Sequence, residues 1–151
     1  MDSTNLDILR LLEENGRSTH EDIAKQLHLS RPAIHERVHK LEKENIIKGY
    51  RGIINWKKLG QSIKAFIYIK TSGVDCKEIA SRYAELQVEN VVIEECHRLA
   101  GEWCIALKVR SKTPDDIANL IDTLRSIPGT IETTTTFILS TVLENGVKDH
   151  L

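Results

Sequence analysis

An α+β protein in two parts is what this sequence predicts, on three observations. Residues 5–47 hold three amphipathic segments whose breaks are too short for anything but tight turns. Residues 61–145 repeat a strand–helix–strand pattern at a shift of 38. Basic residues gather within 31–58, eight of them against three acidic ones. Helices at one end and strands with helices at the other make two domains, expected over 1–60 and 61–151.

The first segment carries Leu6, Leu9 and Leu12 with Ile8 and Leu11, a broad apolar stripe that predicts a helix over about 5–15. Asn15-Gly16 is expected to end it with a left-handed residue, since glycine and asparagine adopt positive φ most easily. Ser18 or Thr19 should cap a second helix, with Glu21 or Asp22 completing a capping box while Ile23, Ala24 and Leu27 turn inward. His28-Leu29 makes the next turn, Ser30 caps a third helix, and Pro32 is tolerated in its first turn. Ile34, Val38 and Leu41 then recur at helical spacing as its buried seam. Three short helices joined this way, the third with its polar flank free, form a winged helix-turn-helix domain.

With that seam inward, Arg31, Ala33, His35, Glu36, Arg37 and Lys40 lie on the outer surface, and Ser30 stands at the end that first meets a groove. These seven residues are the candidate DNA contacts, and double-stranded DNA the implied partner. For Arg37 two roles stay open: contact with a base edge or phosphate, or a structural salt bridge with Glu36 or a neighbouring helix. The charge balance favours nucleic acid locally. The whole chain sums to −1, yet 31–58 alone is +5, suited to phosphates.

Composition limits the remaining classes. With 40% hydrophobic and 28% charged residues the chain can bury a core. No stretch approaches the roughly 18 apolar residues of a membrane helix, and the amphipathic start MDSTNLDILRLLEENGR is no signal core, so the chain is expected in the cytoplasm, away from membranes. Cys76, Cys96 and Cys104 form no CxxC, and an odd count fits reduced thiols, buried or half-buried, better than a disulfide framework. His35-Glu36-Arg37-Val38-His39 spells HExxH, but a zinc hydrolase needs a third ligand and a cleft, and this segment offers neither, so no metal is expected. Cys96 and His97 are adjacent on a strand, point to opposite faces and cannot share a proton. No catalytic residue, cofactor or enzymatic activity is expected.

In the second half, KAFIYIKT is a strand, Asp75 caps a helix with Glu78 at its third position, and VVIEECHRL is a strand. WCIALKV, the cap Thr113-Pro114-Asp115-Asp116 and IETTTTFIL play those parts again, with a polar tail from about 145. Two such units in tandem give a ferredoxin-like βαββαβ domain with both helices on one face. Phe66, Tyr68, Ala106 and Ile138 then line the other face, and an apolar face without helices is expected to be buried by self-association.

Taken in order, these segments resemble the leucine-responsive regulatory protein and asparagine-regulator (Lrp/AsnC) family of prokaryotic transcription regulators. LDILRLLEENGR resembles that family's first helix, IAKQLHLSRPAIHERVHKLEKENII its helix-turn-helix, IIKGYRGIINWKKLG its strand and linker, and RLAGEWCIALKV with IPGTIETTTTFIL its glycine loop and closing strand. The resemblance implies a sequence-specific regulator working as a homodimer or a larger assembly such as an octamer, often responsive to an amino acid. It implies an effector site in the loop Gly101, Glu102, Trp103 and Cys104. Family members commonly carry an acidic residue where Cys104 stands, and a thiol cannot replace a carboxylate as partner for an ammonium. For that loop a plain hairpin turn stays open, as does, for the whole chain, a small-molecule sensor or DNA-packaging protein with little sequence preference.

Overall fold

In the computed structural model, which describes residues 2–148, the chain divides between Ile53 and Ile54. The divide falls ahead of the expected boundary after residue 60. Trp56 lies in a short 3-10 turn, Trp56–Leu59, and its ring stacks on the Arg110 guanidinium at 3.9 Å, which ties the linker to the second unit.

The first unit holds α1 (Ser3–Glu14), α2 (His20–Leu27) and α3 (Arg31–Lys43). Helix α1 begins earlier than expected because Asp2 caps it, its Oδ1 accepting from the Asn5 N–H at 2.8 Å. Its end corrects a second expectation: Asn15 is extended, φ −145°, and Gly16 is not left-handed. The Asn15 N–H instead donates to the Leu11 carbonyl at 3.0 Å, and its side chain accepts from the Arg17 N–H at 3.0 Å, so a side-chain turn takes the place of a glycine stop.

The next two helices start as predicted. Thr19 and Asp22 form a reciprocal capping box, each accepting the other's backbone N–H at 3.1 Å, and left-handed His28 (φ 54°) ends α2. Ser30 Oγ accepts from the Ala33 N–H at 3.3 Å to open α3, with Pro32 in the first turn. Ile34, Val38 and Leu41 are buried against Ile8, Ile23 and Ala24, and that cluster is the core of the unit. The strand expected over IIKGYRGIINWKKLG does not form: residues 48–55 lack regular structure. A strand needs a neighbour to complete its ladder, and the described part of this unit contains helices alone.

The second unit contains β1 (Ile63–Thr71), α4 (Cys76–Ala84), β2 (Val91–Arg98), β3 (Ile105–Ser111), α5 (Pro114–Ser126) and β4 (Thr130–Phe137). The sheet order is β2-β3-β1-β4 with every pairing antiparallel, the βαββαβ arrangement expected from the repeat. Ala65, Ile67 and Ile69 of β1 and Ile105, Leu107 and Val109 of β3 face the helices, packing on Ile79, Tyr83, Ile117, Leu120 and Leu124. Asp75 caps α4, and Thr113 with Asp116 closes a capping box on α5.

Of the polar tail expected from about 145, the part to residue 148 belongs to a hairpin, and the rest lies outside the described residues. Residues Leu143–Glu144 (β5) and Val147–Lys148 (β6) pair as a hairpin around Asn145-Gly146, whose φ angles are 52° and 76°. Two successive positive φ values are what a tight two-residue hairpin turn demands, and Asn-Gly supplies them at low cost.

Candidate nucleic-acid interface and effector loop

Ser30, Arg31, His35, Glu36 and Lys40 stand exposed along one flank of α3, opposite the buried seam, while Ala33 is half-buried beside them. Arg37 is half-buried too. Its Nη1 donates to Asp2 Oδ2 at 2.7 Å and to Asn5 Oδ1 at 2.8 Å. The Arg37 guanidinium, aided by the Asn5 backbone, holds the Asp2 carboxyl below the usual carboxylate range. In the free chain Arg37 therefore makes the structural bridge to a neighbouring helix and fixes the start of α1 against α3. It is not among the exposed residues where the sequence alone put it.

His35 lies with its Nδ1 3.3 Å from Nδ1 of His20 on α2, and its ring stacks near His39 at 6.4 Å between centroids. Among the described residues no group of three or more His, Cys, Asp or Glu side chains is arranged to hold a metal ion. Arg31, with Thr19, His20 and Glu21, lines a shallow hollow between the starts of α2 and α3. Cationic and hydrogen-bonding groups beside two helix N-termini suit phosphate oxygens on the way into a groove.

In the second unit the candidate effector residues divide between two surroundings. Gly101, at φ +139°, turns the loop between β2 and β3. Glu102 pairs with Lys70 Nζ at 2.5 Å, Glu132 approaches the same ammonium at 2.9 Å, and the Trp103 ring lies 4.4 Å from it. Two carboxylates and an aromatic face thus surround an ammonium that belongs to the protein itself, and Glu102 followed by Glu132 raises the Lys70 pKa. Cys104 points elsewhere. Its Sγ is 3.1 Å from Thr71 Oγ1 and donates to the Ile69 carbonyl at 3.5 Å, on the side of the helices.

The face opposite the helices is less open than the alternation suggested. Phe66 and Tyr68 lie side by side, half-buried, at 6.4 Å between ring centroids; Ala106 is buried, and Ile138 follows β4 with its N–H bonded to the Lys64 carbonyl at 2.9 Å. Charged groups frame them: Lys64 pairs with Glu144 at 2.5 Å, Lys108 pairs with the same Glu144, and Arg110 with Glu94 at 2.8 Å. Trp56 and the terminal hairpin of the same chain lie against the charged part of this face, at Arg110 and Lys108, and leave Phe66 and Tyr68 half-buried. Sequence reasoning missed Lys70, Glu132, Trp56 and Glu144. Asn145-Gly146 could have revealed the hairpin, whereas Glu132 reaches Lys70 only through the β1–β4 register.

A helix-turn-helix unit with an exposed cationic flank, joined to a βαββαβ unit that carries a loop of paired charges, defines a DNA-binding regulator with a ligand-binding second domain. Residues 1–48 match the model of the winged helix-turn-helix DNA-binding domain, and 64–147 that of the Lrp/AsnC ligand binding domain. The chain is 31% identical over 141 residues to the HTH-type transcriptional regulator FL11 of Pyrococcus horikoshii, covering 93% of this chain and 91% of that one. Among solved structures, B. subtilis LrpC superposes with a TM-score of 0.80 at 28% identity, over 94% of this chain and 96% of LrpC. The regulator NMB0573 of Neisseria meningitidis, solved as its L-Met complex, gives 0.84 at 23% identity over 95% and 93%. The chain belongs to the Lrp/AsnC family and is a DNA-binding transcriptional regulator rather than an enzyme.

Proposed function

We propose that this regulator reads duplex DNA sequence-specifically through Ser30, Arg31, Ala33, His35, Glu36 and Lys40 of α3, as a homodimer or larger assembly under control of an amino acid bound at the second domain. The observation that carries the reading is the division of α3 into a sealed apolar seam and an exposed polar, basic flank. Arg37 enters this reading as the residue that holds α1 and α3 together, within one helical turn of Lys40. Two copies would set two such helices on two half-sites, about one turn of DNA apart, which multiplies affinity. Phe66, Tyr68, Ala106 and Ile138 are the proposed centre of the self-association face.

For the effector, Glu102, Trp103 and Glu132 form a set suited to an ammonium group, now filled by Lys70. An amino acid would exchange its own ammonium for that of Lys70, a swap that keeps every carboxylate paired. The L-Met complex of the Neisseria regulator supports an amino acid as the class of ligand. Gel-shift titration on a candidate operator and on random DNA across salt concentrations tests the first half. A specific regulator gives a ratio of at least about 10³ between them, whereas equal affinities would mark a DNA-packaging protein instead. Calorimetry against the common amino acids tests the second half, and an absence of heat with all of them would remove the effector.

A further inference from the structure

Three elements bring two thiols to one hydroxyl. Cys76 is the first residue of α4, Cys104 precedes β3, and Thr71 ends β1 where the register with β4 shifts by a bulge. Thr71 Oγ1 lies 3.5 Å from the Cys76 sulfur and 3.1 Å from that of Cys104. The two thiols thus share one hydroxyl as neighbour. We propose that Cys76 and Cys104 are a redox-active dithiol, closed by a hydroperoxide into a reversible disulfide within one chain, while Cys96 remains a thiol.

The chemistry balances with the hydroperoxide as oxidant. The Cys104 thiolate attacks one peroxide oxygen, an S–O bond forms as the O–O bond breaks, and water or an alcohol leaves, giving a sulfenic acid. The Cys76 sulfur then attacks that sulfur; the S–S bond forms, the S–O bond breaks, and the hydroxyl departs as water with the Cys76 proton. Two thiols lose two electrons and two protons, and the peroxide takes up both. Both sulfurs contact the Thr71 hydroxyl, and side-chain rotation about it has to bring them to the roughly 2.05 Å of a disulfide.

The choice of Cys104 as attacking group follows from its surroundings. Burial pushes its thiol up, but hydrogen bonds with the Thr71 side chain and backbone and with Cys76 more than offset this and leave it below the ordinary value. The residues beside it, from His97 through Glu102, are exposed, so a small oxidant has a path. Cys96 also faces the helix side and bonds a carbonyl, that of Ala80 at 3.5 Å, but burial alone acts on its thiol and pushes it up.

Neither DNA nor an effector is needed for this reaction, so its failure and that of the proposed function are distinguishable. The purified full-length chain is treated with hydrogen peroxide, its free thiols are counted, and its digest is mapped by mass spectrometry. The expected result is loss of two thiols and two hydrogens, one linkage between the Cys76 and Cys104 peptides, and full reversal by dithiothreitol. Cys96→Ser should leave that linkage unchanged. Cys76→Ser should stop the reaction at a sulfenic acid on Cys104, captured by dimedone. A linkage through Cys96, a linkage between two chains, or Cys104 passing to sulfinic acid while Cys76 stays free would each overturn the proposal, the wild-type chain sufficing to decide.

Discussion

Replacing Ile34 by alanine is the direct way to test how α3 is held. Ile34 is completely buried among Ile8, Ile23, Ala24, Val38 and Leu41, and touches no surface that DNA could reach. Removing its three outer carbons forfeits their transfer from water and leaves a cavity, a change that costs about 2–5 kcal/mol in well-packed cores. The first unit spans 53 residues, and at 0.05–0.15 kcal/mol per residue its whole stability is about 3–8 kcal/mol. The substitution therefore removes about a quarter of that stability at the least and all of it at the most. Ile34→Val, which deletes one carbon, should cost about 0.5–1.5 kcal/mol and keep the unit folded. Urea unfolding followed by helical circular dichroism reads the first unit in part, while Trp56 and Trp103 lie in the second and serve as an internal control by fluorescence. Ile34→Ala should move the first transition and leave the tryptophan one in place. DNA affinity should fall with the folded fraction and recover as DNA is added, since a ligand of the native state draws the equilibrium back. A shift below about 0.5 kcal/mol would mean that Ile34 is not the seam of α3, and the assignment of its opposite flank to DNA would go with it.

Two further outcomes are expected. Lys40→Ala should weaken binding to specific and random DNA by similar factors and lower the salt slope by about one, as loss of a single phosphate contact does; loss confined to the specific site would make Lys40 a base reader. In the second unit, burial raises the Glu144 carboxyl but pairing with Lys108 and Lys64 more than compensates, so it stays below the usual range. Its contribution is complete above about pH 4.3, the unfolded value, and is lost as pH falls through the folded one. For Lys108, burial lowers and Glu144 raises, with a net rise, so its contribution holds below about pH 10.4 and is lost as pH climbs through the folded value. Tryptophan-monitored unfolding of Glu144→Gln across pH should show a flatter acid arm than the native chain, and identical arms would exclude the pairing.

How much of this the sequence disclosed follows the range of the interactions. Thr19, Ser30, Asp75 and Thr113 act on N–H groups two or three residues away, so their caps were legible by inspection. The seam of α3 and the alternation of β1 were legible because burial imposes a period on the chain. The fate of Arg37 was not, since its partners Asp2 and Asn5 lie 35 and 32 residues away. Exposure of a helix face can be read from spacing, but capture of one residue on it by another helix cannot. The end of α1 failed for a different reason: Asn15 had a side-chain turn open to it that competes with the left-handed stop. The partial cover on the sheet face opposite the helices was not legible, because Glu144 and Trp56 come from far along the chain and only folding brings them to Lys108 and Arg110.

The thiol at position 104 has a local setting whose demands can be tested. Cys104 Sγ donates to the Ile69 carbonyl, an acceptor, and sits at the edge of the core beside Thr71. An ionised carboxylate there has two oxygens to satisfy where the thiol has one sulfur: Thr71 can serve one, but the other would face the Ile69 carbonyl oxygen with no proton to offer, and half-burial would deprive it of water. Cys104→Asp should therefore destabilise the second unit by about 1–3 kcal/mol near neutral pH, the cost of an unsatisfied buried acceptor. The penalty should shrink on acidification, because a protonated carboxyl can donate to Ile69 as the thiol does; its folded pKa is raised, so the protonated form gains as pH falls. A variant as stable as the native chain at neutral pH would show that the pocket accepts charge, and that an acid at 104 could meet an incoming ammonium. If instead the penalty appears, ammonium recognition in this chain rests on Glu102 and Glu132 around Lys70, on the other side of β1 from the thiol.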